Sequence, residues 1–155
     1  MSDYIAGTRI EALDFPPAVS ASNNTQIDNF ASANYSPGNL EVSVTFIAPT
    51  SGRVWVIIGG GIGNSSGADR IFLSPEIRLN NSAGSVIVSP SAPAHGFGSF
   101  KGAASFHYGS RRTLVTGLIP GQTYFARVMQ ACSTSDTGPS TADIACRDIA
   151  VVPAT

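Results

Sequence analysis

Charge is scarce in this 155-residue chain: Asp, Glu, Lys and Arg make up 12% of it, with a single Lys, Lys101, against eight Arg. That is about half the usual charged share, and it excludes a charge-rich disordered chain. With a formal net charge of −1, wholesale binding to nucleic acid or to an anionic membrane surface has no electrostatic basis. Leu is also scarce, six residues against 24 Val plus Ile. That balance excludes a coiled coil or helical bundle and favours strands, whose pleated surface suits β-branched side chains. The longest apolar run, 54–58, falls far short of the roughly 20 residues needed to span a bilayer, so no membrane insertion is expected. Two Cys and two His, with no CxxC pair, give no zinc-ligand spacing. The start Met1-Ser2-Asp3 carries neither the basic nor the apolar part of a secretory leader, so the expectation is no signal peptide and folding in a cytoplasm.

What is present reads as one β domain. Sixteen Gly and ten Pro punctuate the chain, and Ser plus Thr number 31. Residues 1–38 hold few periodic apolar positions and are read as an extended N-terminal arm, with one short strand at 27–30. Tyr4, Ile10 and Phe15 are its candidate anchors, on its own domain or on a neighbour. Residues 39–155 are read as the sandwich. Leu40, Val42, Val44 and Phe46 alternate with polar residues, the period of a half-buried strand. Val54-Trp55-Val56-Ile57-Ile58 is apolar on both faces, so both faces need a cover. One is the core, and Trp55 and Ile57 are therefore candidate subunit-interface residues. Further strands are expected at 71–79 around Pro75, at 85–88, 100–108, 112–118, 124–132 and 143–152, with a long loop at 89–98. Eight or nine strands with short turns predict an all-β antiparallel sandwich, jelly-roll-like or, as the alternative, immunoglobulin/fibronectin-like.

Few constellations carry chemistry. Cys132 and Cys146 stand equidistant from Pro139, as partners across a hairpin would. A disulfide there and two buried thiols are the two readings, geometry favouring the first and a reducing compartment the second. The Gly59–Gly63 run lacks both the helix of a dinucleotide fingerprint and the Lys of a phosphate loop, and is read as a strand end packed closely against its surroundings. The 95–112 stretch mixes aromatics, imidazoles and cations, and Phe97, His107 and Arg111 form a candidate ligand surface for sugars or anions. No G-x-S-x-G elbow and no carboxylates at motif spacing are present, so no catalytic residue, cofactor site or metal site is assigned and the chain is read as a non-enzyme. Charge is sorted along the sequence. Residues 77–135 hold five basic residues and no acid, whereas 1–28 hold four acids and one Arg. Either the acidic arm docks on a basic surface or strand interleaving mixes the charges in space.

Two resemblances follow from motifs. Leu118-Ile119-Pro120-Gly121-Gln122-Thr123-Tyr124 resembles the L-x-P-G-x-x-Y tyrosine corner of fibronectin type III domains, although the single Trp55 lies too far upstream for the rest of that layout. Ser51-Gly52-Arg53-Val54-Trp55-Val56, the same corner, Asp148-Ile149-Ala150-Val151-Val152-Pro153 and the start Tyr4-Ile5-Ala6-Gly7-Thr8 are together similar to small β-rich virion-associated proteins of tailed actinobacterial phages. That resemblance implies a structural protein of the virion, oligomeric and often trimeric. It would act as a capsid decoration protein or tail appendage whose partners are its own copies and other virion proteins. A module binding host-surface glycan is the alternative.

Overall fold

The computed structural model describes residues 15–64, 69–99, 105–133 and 142–155. Along them run β1 (Val19–Asn23), β2 (Ser43–Ile47), β3 (Val54–Asn64), β4 (Ile71–Leu79) and β5 (Val86–Val88). A one-turn helix α1 (Ala92–His95) follows, then β6 (Phe97–Gly98), β7 (His107–Val115), β8 (Thr123–Cys132) and β9 (Ala142–Pro153). Two antiparallel sheets face each other in a jelly-roll-like sandwich, as composition and periodicity predict. One has the order β1-β9-β3-β7, and the other β2-β8-β4-β5 with β6 also paired to β4.

Alternation builds the core. Val44 and Phe46 of β2, Val54, Val56 and Ile58 of β3, Ile71, Leu73 and Ile77 of β4, Tyr124, Ala126 and Val128 of β8, and Ile149 and Val151 of β9 all point inward and are buried. β3 is longer than its apolar run. The glycines expected to end it stay in the ladder, and Gly60 pairs with Arg147 while Gly61 pairs with Cys146. A Cβ on Gly60 would sit 2.6 Å from the Cys146 carbonyl oxygen and 2.7 Å from Leu73 Cδ1. Glycine is there because the backbone of β9 and the facing sheet leave room for nothing larger.

Pro75 does not break β4. The outer edge of β4 is paired by β6 at Phe72 and Leu73 and by β5 at Ile77 and Arg78, and Pro75 falls in the gap between them. Residues 100–104 of the expected strand at 100–108 lie outside the described residues; from His107 to Val115 one strand, β7, bridges the gap expected before 112–118. The expected loop at 89–98 contains α1, whose N-terminus is capped by the Ser91 side chain, and β6. The predicted turn at 119–122 is present. Gln122 N–H donates to the Ile119 carbonyl at 3.1 Å with Gly121 at φ 76°, the geometry of a type II turn with Pro120 at its second position. Tyr124 then closes the corner, its hydroxyl accepting the Ile119 N–H at 3.0 Å.

Residues 15–38 follow their own domain. β1, upstream of the expected strand at 27–30, pairs with β9 at the sheet edge, Ile27 bridges to Ile144, and Ser36 bridges to Gln130. Of the expected anchors, Tyr4 and Ile10 lie outside the described residues, and Phe15 is 55% exposed.

Candidate functional site

The two sheets differ on their outer faces. On the five-stranded sheet, Ser74, Met129 and Ala131 point outward yet are buried. The chain itself covers them: Ser91 N–H donates to Ser74 Oγ at 2.7 Å, and Ala92 N–H donates to the Tyr35 hydroxyl at 2.9 Å. Beyond that cover lies an ion-pair chain. Glu76 contacts Arg78 at 2.7 Å and Arg127 at 2.8 Å, and Arg127 reaches Glu41 at 2.8 Å. Burial pushes the Glu76 carboxyl up, but the hydrogen bonds and charges of the two arginines outweigh it and hold the group below the ordinary glutamate value.

The outer face of the four-stranded sheet is apolar at its centre. Trp55 lies between Leu114 of β7 and Val152 of β9, and Ile57 lies between Arg112 and Ala150. All of these point away from the core and are partly or fully exposed, Leu114 by 41%. The Arg112 guanidinium stacks on the Trp55 ring, 3.8 Å from its centroid, a cation–π contact within this face. The two residues singled out from sequence, Trp55 and Ile57, therefore share one surface. Leu114 and Val152 join it only through strand pairing.

The second expected surface is only partly assembled. Phe97 and Arg111 line one cleft of about 460 Å³ together with Arg70, Phe72 and Ser110. Arg70 lies over the Phe72 ring at 5.0 Å. His107 stands at the start of β7 opposite Ile62 and does not line that cleft. Arg111 is committed elsewhere: its Nη1 donates to the carbonyls of Ala92, Pro93 and Gly96, and its Nη2 to that of Ala94. It satisfies the carbonyls left over at the end of α1, so it is a latch before it is a ligand contact. A polar cleft of about 470 Å³ carries Asp28, Asn29, Asn64, Phe106 and Asp143, which no sequence motif marks because its parts come from distant strands. Among the described residues, no group of three or more His, Cys, Asp or Glu could hold a metal ion.

Cys132 and Cys146 are not joined. Both are thiols, and the expected hairpin does not exist: Cys132 lies in β8 opposite Ile71, and Cys146 lies in β9 opposite Gly61, in the other sheet. β8 and β9 belong to opposite layers of the sandwich, and the expected turn at 137–140 lies outside the described residues.

No family model matches the chain, and no curated protein does. Among solved structures, a chain of infectious bursal disease virus, Gx strain, superposes with a TM-score of 0.53 at 13% identity, over 88% of this chain and 32% of that one. A chain of the T13 particle of the same virus gives 0.52 at 15% identity, over 88% and 31%. A domain named as a carbohydrate-binding module of a multidomain xylanase, at TM-score 0.42 and 11% identity, is too distant to bear on the fold. The chain thus spans about a third of the virus proteins it resembles, and what it shares with them is the sandwich fold.

Proposed function

We propose that this protein is a non-enzymatic structural component of a virus particle, a capsid decoration protein or tail appendage that self-associates as a homotrimer. The observation that carries the reading is the partly exposed apolar face of the four-stranded sheet around Trp55, Ile57, Leu114 and Val152, in a molecule that covers its other sheet with its own chain. Apolar sheet centres rimmed by polar residues are what subunit interfaces present. The fold likeness to chains of an icosahedral virus supports the same reading, and the particle's other proteins are the remaining partners. Two variants test it. Trp55→Asp places a charge at the centre of the face, and Leu114→Glu does so at a more exposed position, 41% accessible, where folding is expected to survive. Both sediment as monomers if the reading holds; a Leu114→Glu protein that keeps the wild-type mass contradicts it. Peptides of this chain in purified particles, found by mass spectrometry, test the location.

A second reading, a host-glycan module, draws on the cleft that places Phe72 and Phe97 beside Arg70, since sugars stack on aromatic rings flanked by hydrogen-bond donors. Its test is glycan-array binding that disappears in Phe97→Ala; an array with no binder removes it.

A further inference from the structure

Arg147 is the one arginine in the buried polar set, 1% exposed, and it projects from β9 into the sandwich opposite Gly60. Its Nη1 donates to Gln130 Oε1 at 2.9 Å, while Nε and Nη2 have no partner. Among the described residues no carboxylate forms an ion pair with it. Burial pulls the guanidinium below its ordinary pKa, a pull that the nearby Cys146 opposes. Gln130, across the core on β8, is 0% exposed, and its Nε2 is also without a partner.

Gln130 forms part of a cleft of about 360 Å³ at the side of the sandwich, lined also by Gln26, Phe30, Ser36, Gly38 and Asn39, with no acidic residue in the lining. Gly38, at φ 68°, packs its bare backbone against the amide at the wall of that cleft; a Cβ there would lie 2.5 Å from Gln130 Nε2. The unmet groups here are all donors, and one belongs to a cation. Such a set is satisfied by an anionic acceptor. Of these donors, the Gln130 N–H belongs to a residue of the cleft wall, and it is polarised by the cation bonded to its carbonyl. The cleft is much larger than a halide, and Ile27, Phe30 and Leu40 give it apolar wall for carbon.

We propose that this cleft binds a carboxylate-bearing ligand, whose acid group docks on the Gln130 amide backed by Arg147. A small organic acid and the acidic side chain of a peptide offer the same chemistry, and residues 1–14 of this chain, with Asp3, Glu11 and Asp14, are one such peptide. The test follows thermal unfolding of the full chain while sodium acetate or propionate replaces sodium chloride at fixed ionic strength. A parallel arm adds a synthetic peptide of residues 1–14. One arm is expected to raise Tm by on the order of 5 °C at near-saturating ligand, and which arm does so identifies the source. Gln130→Glu puts a carboxylate beside Arg147 from within. That variant is expected to unfold at a higher temperature than wild type and to lose the response. An equal response in Gln130→Glu marks a general salt effect and overturns the proposal. Should that variant not fold, calorimetric titration of the wild type with the same three probes decides, and no binding by any of them overturns the proposal.

Discussion

The tyrosine corner shows how a single atom holds a turn. Tyr124 is buried, and its hydroxyl takes the Ile119 N–H that the turn would otherwise leave without a partner. Tyr124→Phe removes that acceptor and keeps the ring stacked on Phe46, so a loss of about 1–2 kcal/mol is expected in urea unfolding. Glu76 sets an acid limb. Its folded pKa lies below the unfolded one, so its contribution is complete above about pH 4.3 and disappears as pH falls through the lowered value. Glu76→Gln is expected to flatten the fall in Tm across that range, and an unchanged slope would count against the pairing. Tyr124 and Trp55 are legible in the sequence because local spacing marks them. The Arg147–Gln130 pair is not, because only the stacking of two sheets brings those residues together. The latch that Arg111 makes on α1 was likewise out of reach of sequence, since α1 is a single turn with no periodicity to reveal it.

At the scale of elements, alternation locates β2, β8 and β9 well, because each buries one face and the period of two is the signature of that. β3 is cut short in sequence because glycine reads as a breaker, whereas here it answers close packing. Gly60→Ala tests this: the added methyl meets the backbone of β9 and Leu73, and overpacking is expected to cost about 1–3 kcal/mol, read as a lower Tm with the fold retained. The disulfide expectation fails for a reason of topology. Symmetric spacing about a turn implies facing residues only when the two strands share a sheet, and β8 and β9 do not.

For the whole molecule, part of the charge sorted along the chain is mixed in space. Arg78 and Arg127, from the acid-free stretch, bond to Glu76 and Glu41, which precede that stretch in sequence. The Arg127 pairs come from strand interleaving, which brings sequence-distant segments together. What survives at this scale is hydrophobic asymmetry: one sheet is covered by the chain's own loops, and the other presents Trp55, Ile57, Leu114 and Val152 outward. The most direct test of that claim is the mass of the wild-type protein in solution by sedimentation equilibrium across a range of concentrations. The account requires a discrete assembly at three times the 16.0 kDa of the chain; a single species at 16.0 kDa at every concentration would contradict it.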